Sequence, residues 1–214
     1  MDISDVRSRL FLILPDAGAA SFKDAFKDAL QGGDVACLLL PSGCEADLAA
    51  DYVRIAHGAD CAVLVTDDTQ LMGRVGADGV HLSSPAAIEK SVLAKHQATD
   101  RIVGCGGPFT RHSALEAAER GFDYLFFGRL DRDLDEDTHP KVMKMAAWWA
   151  QIMTVPCVAM AGTNPESADL LAEAGAEFVG LREQVFESTE PAKAVADINR
   201  RFSEIAERRM AEMA

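Results

Sequence analysis

Two adjacent carboxylates lie at a position where they could bind a metal ion or cap a helix. Asp67 and Asp68 follow an apolar run and precede a stretch of helical pattern. A carboxylate in such a place can hold Mg²⁺ for a phosphorylated substrate, or it can cap the first turn of the helix. Both interpretations of the pair are open from the sequence.

Two turns rich in small residues are candidates for phosphate binding. Residues 104–108 read Gly-Cys-Gly-Gly-Pro, and residues 161–164 read Ala-Gly-Thr-Asn. Their backbone N–H groups can approach a phosphate at the start of a helix, although each segment can equally be a tight turn. Arg182 either adds a charge-assisted contact or pairs with Glu183 or Glu187. The predicted phosphate-binding residues are Gly162, Thr163, Gly180, Arg182 and Gly106.

The elements that must position these residues repeat along the chain. Eight short apolar runs predict strands, spaced roughly 18–32 residues apart and separated by amphipathic stretches. Most of the runs are apolar at consecutive positions, which is typical of parallel strands covered on both faces. The predicted strands are 10–14, 35–40, 61–65, 79–82, 102–105, 124–127, 155–160 and 178–181.

This repeat predicts a (β/α)8 TIM barrel in which residues 1–214 form a single domain. The alternative is an open doubly wound sheet, which usually has fewer strands at this length. In a barrel, the carboxyl ends of the strands meet at one mouth, so the candidate residues above would face a common site.

Composition excludes several classes of partner. The formal net charge of −13 opposes a nucleic-acid backbone. No apolar stretch approaches the roughly 20 residues that span a bilayer, so we expect no membrane partner. The five cysteines lack a C-x-x-C pair, which predicts free thiols and a cytoplasmic location. We expect a phosphorylated small molecule as ligand and a homo-oligomer as the candidate assembly.

Two further features allow a functional and a structural interpretation. His81 ends a predicted strand and is either a general base or a hydrogen-bonded structural residue. The acidic run 131–137 has a D-x-D-x-D spacing similar to a calcium loop, but Val142 stands where that loop needs Glu. We therefore interpret the run as a solvated loop.

A resemblance to a known family begins at residues 76–82, which read Gly-Ala-Asp-Gly-Val-His-Leu. With residues 63–68, 121–124, 156–159 and 174–176, this segment resembles thiamine-phosphate synthase and the related thiazole tautomerase group. The resemblance implies that an aminopyrimidine methyl diphosphate is joined to a thiazole phosphate, with Mg²⁺ assisting the loss of pyrophosphate.

The same resemblance assigns roles to single positions. It places Asp67 at a magnesium-binding position and Gly162 in the family's glycine turn. The family's second strand ends in Gln-Leu-Arg-x-Lys, whereas this chain has Leu40, Pro41 and Ser42 at the last three of those positions. Gly106 stands where the family has a serine.

Three functions are therefore open from the sequence. The first is a synthase of this family that acts on thiamine precursors with magnesium. The second is a catalytically inactive relative that binds a phosphorylated heterocycle as a regulator or partner protein. The third is a barrel enzyme with different chemistry on a phosphorylated substrate.

Overall fold

Eight parallel strands close into a barrel in the computed structural model, which describes residues 3, 6–16, 20–87, 99–107, 109–130 and 135–213. Neighbouring strands follow the chain order, and β1 pairs with β8 to close the ring. The predicted barrel is confirmed, and the open sheet is excluded. The strands are β1 (Arg9–Ile13), β2 (Val35–Leu40), β3 (Ala62–Thr66), β4 (Gly79–Leu82), β5 (Ile102–Gly106), β6 (Tyr124–Phe127), β7 (Cys157–Met160) and β8 (Phe178–Leu181).

Helices surround the barrel, and short 3-10 turns lie at Leu30–Gly32 and Pro85–Ala87. The last helix follows β8 and packs against the helices on either side of the β8–β1 closure. The described helices are α1 (Phe22–Ala29), α2 (Ala46–His57), α3 (Thr69–Val75), α4 (Arg111–Glu119), α5 (Pro140–Ile152), α6 (Pro165–Glu173), α7 (Glu183–Phe186) and α8 (Pro191–Met213).

Acidic side chains just before three of the strands accept hydrogen bonds from backbone N–H groups at the amino-terminal end of the barrel. Asp78, just before β4, accepts a hydrogen bond of 2.7 Å from the N–H of Val63 at the start of β3. Asp123 does the same for Val103 at 2.7 Å, and Glu177 accepts from Cys157 at 3.0 Å. These acidic residues therefore serve the stability face of the barrel rather than its mouth.

One predicted strand starts later than its apolar run. Residues 155 and 156 precede β7, which begins at Cys157. The Val155 carbonyl accepts a 2.7 Å hydrogen bond from the indole N–H of buried Trp149, and Pro156 has no N–H to give to a ladder.

The neighbouring Trp148 is half-buried, with the Arg111 guanidinium 5.0 Å above its ring.

Two layers of apolar side chains fill the molecule. One lies between the strands and the helices, and the other fills the barrel interior, where Phe11, Leu39, Leu64, Phe126 and Met160 pack together. Because the interior is packed, a ligand has room at the mouth rather than inside the barrel.

Candidate functional site

A cavity of about 610 Å³ opens at the carboxyl ends of the strands. Its apolar wall includes Phe126 and Leu130, and its polar wall includes Thr66 and Ser83. The basic residues among its described lining are Arg129 and Arg182. The complete described lining is Pro15, Pro41, Ser42, Thr66, His81, Ser83, Gly106, Gly107, Phe126, Gly128, Arg129, Leu130 and Arg182.

His81 forms part of the cavity floor as a buried, neutral side chain. It is 1% exposed, and its Nδ1 lies 2.8 Å from the hydroxyl of Tyr124. Burial lowers the pKa of His81 to about 4, although the nearby Asp67 carboxylate opposes that shift. The hydrogen-bonded structural interpretation is confirmed, and such a pKa suits a general base at neutral pH poorly.

Gly106 is at the end of β5 beside this imidazole. A Cβ atom built on Gly106 would lie 2.9 Å from His81 Nε2, closer than side chains normally approach. Gly106 lines the cavity, and its lack of a side chain provides the space that His81 occupies.

The adjacent carboxylates have separate roles. Asp68 caps α3, accepting hydrogen bonds from the N–H groups of Gln70 at 3.0 Å and Leu71 at 2.8 Å. Asp67 has a left-handed backbone (φ 56°), and its carboxylate accepts from the N–H of Ser83 at 2.9 Å and from its hydroxyl at 2.5 Å. The cap interpretation is therefore confirmed for Asp68, and Asp67 faces the end of β4.

The family resemblance assigns Asp67 to magnesium. Among the residues described, no group of three or more His, Cys, Asp or Glu side chains is placed to hold a metal ion. Mg²⁺ takes about six oxygen ligands and is usually held by one or two carboxylates together with substrate phosphates. The protein groups present fit magnesium only as a minor part of its coordination shell.

The mouth is covered at the β7 end by residues 135–138, which we call the strap. The Asp135 carbonyl accepts a hydrogen bond of 2.9 Å from the N–H of Thr163, and the Glu136 carbonyl accepts one of 2.9 Å from Asn164. A Cβ on Gly162 would overlap the strap backbone. The N–H of Thr163, one of the backbone donors predicted for phosphate, is thus bonded to the carboxyl end of the acidic run. Residues 131–134 of that run lie outside the described part of the chain.

Gln184 fills the gap between the ends of β7 and β8. Its Oε1 accepts a 2.9 Å hydrogen bond from the N–H of Arg182, and its Nε2 donates to the Gly162 carbonyl. Gln184 is not among the predicted site residues, and its only signal in the sequence is a polar side chain three residues beyond a predicted strand. Gly180 lies deeper, where an added Cβ would contact Ile13 and Met160 inside the barrel, and it is not part of the described cavity lining.

Arg182 crosses the mouth from the end of β8. Its guanidinium donates to the carbonyls of Leu130 and Pro15, the latter at 3.3 Å. Its Nε is 2.9 Å from the Glu183 carboxylate, and the side chain is 13% exposed. The predicted ion pair is confirmed, and the same side chain brings positive charge to the cavity.

The fold and the cavity define a barrel protein with a polar site at the carboxyl ends of its strands, where enzymes of this architecture bind their substrates. A sequence model of the family described as thiamine monophosphate synthase matches residues 10–185. The chain belongs to this family, and it is a thiamine-phosphate synthase-like protein of thiamine biosynthesis. The family resemblance drawn from the sequence is confirmed.

Individual relatives agree with this assignment. The chain is 35% identical to a thiamine-phosphate synthase of Rhodospirillum centenum, a match that covers 90% of this chain and 96% of the relative. It is 31% identical to that of Hyphomonas neptunium, over 94% and 96% of the two chains. A solved thiamine phosphate pyrophosphorylase from Pyrococcus furiosus superposes with a TM-score of 0.75 at 21% identity, over 95% of this chain and 98% of that one, and supports the fold.

Within the described ranges, no helix has both the length and the apolar character needed to cross a bilayer.

Proposed function

We propose that the mouth cavity binds a phosphorylated heterocycle of thiamine biosynthesis and that the protein releases pyrophosphate far more slowly than an efficient synthase. The observation that carries this proposal is the end of β2. Leu40 is fully buried there, and Pro41 and Ser42 present uncharged groups to the cavity.

The walls of the cavity suit a heterocycle. The rings of His81 and Phe126 meet edge to face with centroids 5.4 Å apart, and both line the cavity. Above these buried rings, the partly exposed Pro15, Pro41 and Leu130 offer apolar contact to a ring that enters the cavity. Arg129 and Arg182 add positive charge to the lining in a chain whose net charge is −13.

The same lining is poorly suited to a diphosphate leaving group at β2. A hydrogen bond to a charged group contributes about 1.5–3 kcal/mol, so two missing cations correspond to about 3–6 kcal/mol of transition-state stabilisation. That energy corresponds to a rate loss of about 150-fold to 25,000-fold. Binding of a monophosphorylated ring does not need these cations.

Magnesium is the cofactor proposed for this site, and we place it on the ligand rather than on the protein. Bound Mg²⁺ neutralises phosphoryl charge. Asp67 would supply one carboxylate, oriented by its two hydrogen bonds from Ser83. We therefore propose that Mg²⁺ reaches the mouth together with a phosphorylated ligand.

The glycine turn after β7 and the cellular environment of the protein are the subject of two further proposals. We propose phosphate contacts at Gly162 and Thr163, which require that the strap first leave the turn after β7. We also propose a reducing, cytoplasmic environment, which the five free and buried thiols support.

Calorimetric titration tests the proposal. Thiamine phosphate should bind with one-to-one stoichiometry and more tightly than unphosphorylated thiamine. Ser42→Trp, which places a large ring in the lining, should weaken binding, whereas Gln70→Trp on the exposed surface of α3 should not. Equal affinity for both ligands, or equal affinity in both variants, would contradict binding in the mouth.

A further inference from the structure

Ser83, rather than Asp67, is the member of this hydrogen-bonded pair that lines the mouth cavity. Asp67 is not among the described lining residues, although its carboxylate is bonded to one of them. The Ser83 hydroxyl donates a hydrogen bond of 2.5 Å to Asp67 Oδ2, and the Ser83 N–H donates one of 2.9 Å to Oδ1. Both oxygens of the carboxylate therefore already have a donor on the residue that faces the cavity.

The backbone of the two strands keeps this contact in place. The Asp67 N–H donates a hydrogen bond of 2.9 Å to the His81 carbonyl, so the end of β3 stays paired with β4. A left-handed backbone such as that of Asp67 (φ 56°) is uncommon outside glycine and persists where the surroundings stabilise it. The two hydrogen bonds from Ser83 supply such stabilisation, so the contact is part of the fold at this edge of the mouth.

The contact matters for a divalent cation because few other carboxylates serve this place. The Asp68 carboxylate accepts from two N–H groups of α3, and the described residues include no cluster of three potential ligands around a metal position. A cation at the end of β4 would thus depend on Asp67. Since an ionised carboxylate only accepts hydrogen bonds, the Ser83 hydroxyl points its hydrogen at Oδ2 and opposes a cation there.

We propose that Ser83 is a positioning residue that keeps Asp67 from binding a free divalent cation, so that metal reaches this carboxylate together with a phosphorylated ligand. This inference rests on the proposed function, in which Mg²⁺ travels on the ligand. When the metal arrives, the Ser83 hydroxyl turns away by rotation about one side-chain bond. The Ser83 N–H keeps its hydrogen bond to Oδ1, so the carboxylate stays oriented.

Titration with Mn²⁺ alone tests the role of Ser83. Mn²⁺ takes the same oxygen ligands as Mg²⁺, and electron paramagnetic resonance measures the fraction that stays free. Ser83→Ala and Ser83→Gly both remove the hydroxyl and keep the N–H. Because each removes a charge-assisted hydrogen bond that competes with the metal, each should bind Mn²⁺ about tenfold more tightly than the original chain.

Two control variants locate the effect. Ser84→Ala removes the neighbouring hydroxyl, which accepts from the N–H of Ala86 and not from Asp67, and should match the original chain. The double variant Asp67→Asn with Ser83→Ala lacks the carboxylate and should lose the tenfold gain. Equal Mn²⁺ affinity in the original chain and in both Ser83 variants, or a gain that persists in the double variant, overturns the role of Ser83.

A titration of the original chain with Mn²⁺ and thiamine phosphate together tests the coupling to the ligand. Bound thiamine phosphate should raise the affinity for Mn²⁺, and binding that leaves this affinity unchanged overturns the coupling. The titrations with metal alone need no heterocycle, so their failure leaves the proposed function standing as long as thiamine phosphate binds. Failure of thiamine phosphate to bind overturns the proposed function, whereas a tenfold gain in Ser83→Ala still supports competition between Ser83 and the metal.

Discussion

The buried, neutral His81 makes the stability of the barrel depend on pH in a measurable direction. Its pKa is about 4 in the folded protein, against an ordinary value of 6.5. As the pH falls below 6.5, the unfolded chain binds a proton that the folded chain does not, so the free energy of unfolding decreases. The decrease is complete once the pH is below the folded pKa.

The size of the effect follows from the difference in pKa. At about 1.4 kcal/mol per pKa unit, the shift from 6.5 to about 4 corresponds to about 3.5 kcal/mol of unfolding free energy. Roughly 1 kcal/mol of that is already lost near pH 5.5, well above the range in which ordinary carboxylates titrate. His81→Gln removes the titrating group while leaving a side chain that can hydrogen-bond to Tyr124.

Urea unfolding of both proteins between pH 7 and pH 4.5 tests this reasoning. The stability of the original chain should fall faster on acidification than that of His81→Gln, so the difference between the two proteins should change by about 2–3 kcal/mol across the range. Other titrating groups are shared by the two proteins and cancel in the comparison. Parallel pH profiles would refute the assignment of a buried neutral imidazole.

Three other predictions concern packing, the strap and the thiols. Gly104→Ala places a Cβ inside the buried ring of Tyr124 and should destabilise the protein by at least about 1–3 kcal/mol in thermal unfolding. Gly73→Ala, on an open helical position, should instead stabilise by about 1 kcal/mol, and equal melting temperatures would contradict this prediction. Gly162→Ala should displace the strap and speed protease cleavage at residues 135–138, and unchanged cleavage would argue against a covering strap. Burial raises the pKa of all five thiols, so a thiol reagent should label them slowly until the protein unfolds; rapid labelling of the native protein would contradict burial.

The barrel could be predicted because its strands leave a local signal. Residues 35–40, 79–82, 124–127 and 178–181 are strands with the predicted bounds, since burial on both faces makes each run continuously apolar. The start of β7 could not be predicted from its apolar run, because the Val155 carbonyl bonds to a distant indole.

The site was less predictable because its contacts are not local. The N–H of Asn164 donates a hydrogen bond to the Glu136 carbonyl, and nothing in the sequence of either segment indicates that the two residues meet. Asp67 and Asp68 are identical residue types, and the left-handed backbone of Asp67 separates their roles. The placement of Arg182 across the mouth likewise depends on carbonyls that belong to β1 and β6 loops.

The rate of pyrophosphate release is the measurement that tests the central claim most directly. The aminopyrimidine methyl diphosphate and the thiazole phosphate would be supplied with Mg²⁺, with the Rhodospirillum centenum relative assayed in parallel. Because uncharged Pro41 and Ser42 line the mouth at β2, we predict release at least about 100-fold slower than in the relative, together with measurable binding of thiamine phosphate. Pyrophosphate release at the rate of the relative would contradict the account.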